Sequence, residues 1–323
     1  WTGCAAGRYG GGSTSGTKPT SRCRRVWADG RSGPGSGNSE HRTRRSLLEP
    51  IDLLLIPLGV AVGAFGTLVG AGGGFVLGPV LLLLHPEKEA ETVTAMSLLV
   101  VCANAASGSV AYALQRRIDY RSGWWFIIGT FPGAVGGAIA VSYIPRDVFD
   151  AIFAMMLGAV GLYLMFRGHQ QDISPPVTGR GVVRRRITDA HGNTFAYSFH
   201  LWKGIVISTA VGFISSLLGI GGGIIHVPVM ATVLHFPVHI AAATSHFVLA
   251  FMAAEGTAVH AVQGVLTWDR SLLQAVFIAL GAIPGAQIGA RLSHRLGGPA
   301  IIRALAGALL LVALRLGLKA VGI

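Results

Sequence analysis

Two glycine clusters set in apolar sequence, each followed by proline at one common offset, constrain this chain more than any other feature. Gly70-Ala71-Gly72-Gly73-Gly74 recurs as Gly219-Ile220-Gly221-Gly222-Gly223, with Pro79 and Pro228 each five residues beyond the last glycine. A second block, Gly129-Thr130-Phe131-Pro132-Gly133-Ala134, recurs as Gly281-Ala282-Ile283-Pro284-Gly285-Ala286, and Gln115 and Gln263 hold matching places at helix ends between the blocks. Two similar apolar halves, each interrupted by glycine and proline, are the sequence pattern of a secondary transporter.

Composition says which solvent the chain faces. Of 323 residues, 51% are hydrophobic and 12% charged, against about 25% charged in soluble domains. Too few polar groups exist to cover a water-facing surface, so lipid is the expected surroundings. The formal charge of +12 does not argue for nucleic acid. It sits in tails and loops around apolar spans, as membrane topology requires, and no basic stripe interleaved with aromatics is present. Cys4, Cys23 and Cys102 form no CxxC pair, so neither a disulfide framework nor a zinc knuckle is expected. Residues 1–46 carry nine Lys/Arg against two acids and are rich in Gly and Ser. They read as a basic disordered tail or an organelle transit segment, and are set apart from the fold.

Apolar runs of spanning length fall at about 51–69, 92–114, 123–143 and 149–166, then at 203–218, 240–262, 271–291 and 299–318, each near the ~20 residues that cross a bilayer. Shorter runs at 75–84 and 224–234 follow the triple glycines and read as half-helices. The expectation is an all-α polytopic membrane protein of about eight transmembrane helices in two homologous four-helix repeats, each with a Gly-broken half-helix. Its parts are the tail (1–46), a first repeat (51–166), a polar linker loop (167–201) and a second repeat (202–320). With the short runs returning to the side they came from, the tail, loop 115–122, the central loop, loop 264–270 and the C-terminus share one face. That face collects most of the Lys/Arg and is assigned to the cytoplasm or its organelle equivalent. Full spans at the short runs would instead invert the halves.

The glycine breaks are where chemistry can reside. Irregular backbone survives within lipid only beside protein or a wet cavity. A half-helix starting there offers free N–H groups at the positive end of the peptide dipole, which attract anions, and glycine lets the backbone approach a ligand without a Cβ in the way. The substrate-binding candidates are therefore Gly70, Gly72, Gly73 and Gly74 with Gly219, Gly221, Gly222 and Gly223. The competing reading is close helix packing, as in the spacing of Gly66 and Gly70. A dinucleotide fingerprint fails, because Phe75 and Ile224 occupy its last glycine position.

The helix after each half-helix adds hydroxyls and amides able to hold an oxyanion: Thr94, Ser97, Asn104 and Ser107 in the first half, Thr244 and Ser245 in the second. With a one-residue gap, Ser97 matches Ser245, Ser107 matches Glu255 and Tyr112 matches His260. Of these, Ser97, Asn104, Thr244 and Ser245 join the site, the alternative being helix–helix hydrogen bonds. Glu255, a carboxylate within a span, is a proton-carrier candidate, with His226 and His246 beside it. At about 100° per residue, His246 and His260 share a face, whereas Glu255 lies across the helix from both. Pro132-Gly133 and Pro284-Gly285 read as kinks with close packing, or as hinges.

These residues resemble the TauE/SafE family of sulfite-exporter-like membrane transporters over about 51–320. The carriers are the doubled glycine clusters with Pro79 and Pro228, Ala243-Thr244-Ser245, and the paired Pro-Gly-Ala blocks. The resemblance implies a permease of two related halves that moves small anions such as sulfite, sulfoacetate or other organosulfur anions. No GxxxxGK[ST] loop is present, so a gradient would drive it. The expected partners are a small anionic substrate and the lipid bilayer, with a homo-oligomer considered and no nucleic acid. No catalytic residue, metal or cofactor is expected. The location is the plasma membrane, or an organelle membrane if the tail is a transit peptide. The alternatives are a membrane-embedded metal-dependent enzyme, drawing on His226, His246, Glu255 and His260, and an anion channel or scaffold.

Overall fold

The architecture follows from where the backbone of each apolar run can reverse. In the computed structural model, the described residues are 53–85, 87–166, 181–293 and 298–320; the basic segment 1–46 lies outside them. The helices are α1 (Leu55–Val69), α2 (Gly74–Leu84), α3 (Ala90–Leu114), α4 (Tyr120–Ala140), α5 (Arg146–Phe166), α6 (Leu201–Leu218), α7 (Gly223–Thr232), α8 (Val238–Val262), α9 (Arg270–Ser293) and α10 (Gly298–Ala320). Among the described residues six helices are long and apolar enough to cross a membrane: α3, α4 with its 3-10 extension, α5, α6, α8 and α9. Trp124, Trp125, Phe166 and Trp202 face outward, which places apolar surface where lipid would sit.

α1 has 15 residues, about 22 Å of helix, which is less than the ~30 Å hydrocarbon core. It stops at Gly70, whose φ of 79° is left-handed, and the chain turns back into α2. α6 stops in the same way at Gly219, φ 66°, and returns along α7, so that Gly204 at the start of α6 packs on Leu234 just after α7. Gln115 and Gln263 are the C-caps of α3 and α8.

Glycine stripes fix the helix pairing. Gly281, Gly285 and Gly289 of α9 rest on the backbone of Ile56, Val60 and Ala64 of α1. Gly129, Gly133 and Gly137 of α4 rest on that of Ile205, Thr209 and Phe213 of α6. Both pairs run parallel, and the missing Cβ at every fourth residue lets the backbones touch. Pro132 and Pro284 lie inside unbroken helices, and the glycine after each is a packing contact.

Two expectations are corrected. The linker, expected as a loop, contains a β-hairpin: β1 (Val182–Thr188) pairs antiparallel with β2 (Thr194–His200), Arg185 opposite Tyr197. The orientation of the halves also differs from the same-side arrangement. α3 and α8 cross antiparallel, Gly108 packing on His246 while Gly256 packs on Leu98. Loop 264–270 therefore meets the start of α3, where Lys88 Nζ lies 3.3 Å from Asp269 Oδ2. Loop 115–122 lies at the other end, with the hairpin: Ala190 N–H donates to the Gln115 carbonyl. The physical reason is that α1 and α2 enter and leave on one face, as α6 and α7 do on the other.

The hairpin is fastened by charge. Arg117 Nη2 sits 3.2 Å from Asp189 Oδ2, both buried. Burial opposes the Asp189 charge, but hydrogen bonds from Asn193, Arg117 and His191 outweigh it and hold the carboxyl below its ordinary range. Tyr197 donates to Asp119 Oδ2 at 2.8 Å, and Arg185 Nε lies 3.6 Å from the same oxygen. Burial, then the Asp119 charge, push the Tyr197 phenol well above its usual range.

Candidate functional site

The two glycine breaks meet. A Cβ on Gly74 would lie 2.5 Å from the Ile220 carbonyl, and one on Gly223 would lie 2.5 Å from that of Gly70. Gly72 and Gly221 both face Val101 of α3 and Leu249 of α8. Gly70, Gly72 and Gly73, and Gly219, Gly221 and Gly222, all carry positive φ between 66° and 79°, a conformation only glycine adopts without strain. Gly73 and Gly222 are the N-caps of α2 and α7, and the first N–H groups of those helices have no partner within the helix.

A slit opens on the second break. It is lined by Gly221, Gly222, Gly223, Thr130, His226 and Ser245, with Val211, Val248, Leu249 and Met252. It holds about 170 Å³ of space between atoms but is too narrow in this conformation to admit a water molecule. Ser245 Oγ is fully buried there and has no hydrogen-bond partner. His226 Nε2 is 3.2 Å from Ser208 Oγ, and its ring meets Phe126 edge-on at 5.8 Å.

A buried polar cluster flanks the first break. Thr67 Oγ1 donates to Asn104 Oδ1 at 3.3 Å and lies 3.1 Å from His246 Nε2. Tyr112 donates to the Thr67 carbonyl at 2.6 Å. Asn104 keeps a buried Nδ2 with no partner.

The expected residues thus divide. Ser245 and Asn104 stand beside the breaks with unspent hydrogen-bonding capacity. Ser97 is committed, its Oγ donating to the Gly219 carbonyl at 2.6 Å. Thr244 is elsewhere, accepting from the Asp119 N–H at 3.0 Å at the head of α4. Glu255 lies one helical turn past Met252, outside the slit lining, half-buried and with Oε2 unpartnered. His226, His246 and Glu255 do not converge, and among the described residues no group of three His, Cys, Asp or Glu could hold a metal ion. Thr67 and Thr130 were not singled out from the sequence. Thr67 sits three residues before Gly70 and Thr130 inside the recurring proline block, and that proximity is the signal that could have found them.

Antiparallel crossing helices around two broken ones, with buried polar groups at the breaks and apolar residues outside, define a polytopic membrane protein of transporter class. The sequence matches the family described as Sulfite exporter TauE/SafE over residues 55–316, and the chain belongs to that family. It is 30% identical over 270 residues to the probable membrane transporter protein YunE of Bacillus subtilis (strain 168), covering 82% of this chain and 96% of that one. A probable membrane transporter protein of Methanocaldococcus jannaschii is 28% identical over 202 residues, 60% of this chain and 67% of that one. YfcA of Escherichia coli (strain K12), also a probable membrane transporter protein, is 22% identical over 258 residues, 79% and 87% respectively. No solved structure matches significantly.

Proposed function

We propose that this protein is a carrier for a small anion, sulfite or an organosulfur or carboxylate anion, bound where the two glycine breaks meet and moved by alternating access. The observation that carries the reading is the contact between breaks, Gly74 on Ile220 and Gly223 on Gly70, with Ser245 unpartnered beside it. The N–H groups at the heads of α2 and α7 supply positive potential. Ser245 and Asn104, both with unspent capacity, supply directed hydrogen bonds, while Thr130, whose hydroxyl donates to the Ile127 carbonyl, and His226, held by Ser208, line the site. Recurrence of matched contacts on oppositely directed elements supports two inverted repeats, the arrangement in which rocking of one half against the other exposes a midplane site alternately. The scattered histidines disfavour a metal-dependent enzyme.

The test is flux of sulfite and sulfoacetate in proteoliposomes. Gly222 carries φ 70°, and a Cβ there would meet Met252 and Ser215. Gly222→Val, and Gly73→Val at the matching position, abolish flux while folded protein is still recovered. Gly307→Ala, at an exposed helical position with nothing within 4 Å, retains it. Undiminished flux in both valine variants defeats the assignment of the site.

A further inference from the structure

We propose that His260, with Glu91 beside it, is the proton-binding site that couples this carrier to a proton gradient; the inference rests on the transport reading above. Three histidines are buried among the membrane helices, and their partners differ. His226 is engaged by Ser208 and His246 by Thr67. His260 is fully buried with no hydrogen-bond partner for either ring nitrogen, and its Nδ1 lies 3.8 Å from Glu91 Oε1. An uncapped imidazole in an apolar bundle forfeits its hydrogen bonds, and a carboxylate within ion-pair reach stabilises it once protonated.

The surroundings continue the pattern. Thr94, one turn along α3 from Glu91, and Ser216 of α6 are buried with unpartnered hydroxyls. Gly256, one turn before His260, packs on Ser216, and Gly219 packs on Thr94. The cluster thus adjoins the second break, whose Gly219 carbonyl is held by Ser97 one turn above Thr94. Glu91 keeps 19% of its side chain exposed, so a proton can reach it from solvent at the Lys88 end. Other charged groups at that end are Glu89 next to Glu91, Glu87 beside His85, Lys88 paired with Asp269, Arg146 of α5 paired with Asp150 and donating to the Lys88 carbonyl, Arg270 at the head of α9, and Glu255 on α8 itself; α6 presents Ser216. A proton passed from Glu91 to His260 places one positive charge beside the break and raises its attraction for an anion, so proton and anion are carried together.

The experiment needs no transported anion. Proteoliposomes adsorbed on a solid-supported membrane receive a pH jump, with the proton as sole probe. Wild type gives a transient current. His260→Gln reduces it to the level of protein-free liposomes, while His191→Gln, in the exposed hairpin turn, leaves it in place. Glu91→Gln, at a partly exposed site that tolerates change, lowers it about tenfold at neutral pH, the scale of one neighbouring charge. No wild-type current, or an unchanged one in monodisperse His260→Gln and in Glu91→Gln, overturns the proposal. An anion jump on the same wild-type vesicles reads the transport reading separately: anion current without proton current sinks only the coupling site.

Discussion

At the scale of single residues, the useful distinction is between polar groups already spent on the fold and those held in reserve. Ser97 and Ser245 occupy matching places in the two halves, yet one hydroxyl is bonded to Gly219 and the other to nothing. Removing them has opposite consequences. Ser97→Ala leaves a buried carbonyl unpaired and costs about 1–3 kcal/mol, read as a lower melting temperature of the purified protein. Ser245→Ala removes an unsatisfied group, so the melting temperature holds or rises while the KM for the carried anion increases about tenfold, the worth of one hydrogen bond to a charged ligand. A drop in stability with unchanged KM in Ser245→Ala would make it a structural residue. The sequence could nominate both serines from the repeat. It could not separate them, because the Gly219 carbonyl comes from a segment 122 positions away. Thr244 shows the same limit: its spacing suited the site, and its hydroxyl serves Asp119 instead.

At the scale of elements, the glycine breaks were legible and the hairpin was not. Triple glycine before a short apolar run leaves few options within lipid, and both runs became half-helices. The linker's strand signal, alternation of Phe195, Tyr197 and Phe199, competed with the Arg184–Arg186 run, which reads as solvated loop. In the fold, Arg185 turns inward to Asp119 while Arg184 and Arg186 face outward on the alternate side. Tyr197 and Phe199 meet Phe236 at tilted ring angles, at centroid distances of 4.4 and 4.8 Å, just beyond α7. Arg117→Ala takes one of four hydrogen bonds from the buried Asp189 carboxylate, a loss of about 1.5–3 kcal/mol. Amide exchange protection of 182–200 should collapse while α3 and α8 stay protected. The Asp189 carboxyl is depressed in the fold, so its contribution is complete above the unfolded value, about 3.9, and fades as pH falls through the folded one. Hairpin protection, corrected for intrinsic exchange, is therefore flat from pH 7 to about pH 5 and declines below about pH 4. A decline starting near pH 6 would assign the titration to a histidine instead.

At the scale of the whole molecule, orientation is the property that sequence left most open. The positive-charge bias points to one side with or without the basic tail, but it rests on 51–69 as a full crossing. The structure shortens that run to a 15-residue helix that turns back at Gly70, and α8 crosses α3 antiparallel. Arg116, Arg117, Arg121 and Arg184–Arg186 then gather at the hairpin end, against Lys88, Arg146 and Arg270 at the other. The charge bias predicts a cytoplasmic hairpin. Two exposed turns discriminate the arrangements directly. His191 lies in the hairpin turn and Gly264 just after α8, both exposed. In a chain with Cys4, Cys23 and Cys102 replaced by Ser, His191→Cys and Gly264→Cys are each probed with a membrane-impermeant maleimide in right-side-out and inverted vesicles. Opposite sidedness follows from antiparallel α3 and α8, with position 264 labelled from outside and position 191 only after inversion. Labelling of both from one side would restore parallel halves. The two glycine breaks could not then approach one midplane site from opposite faces, and alternation between them would lose its structural basis.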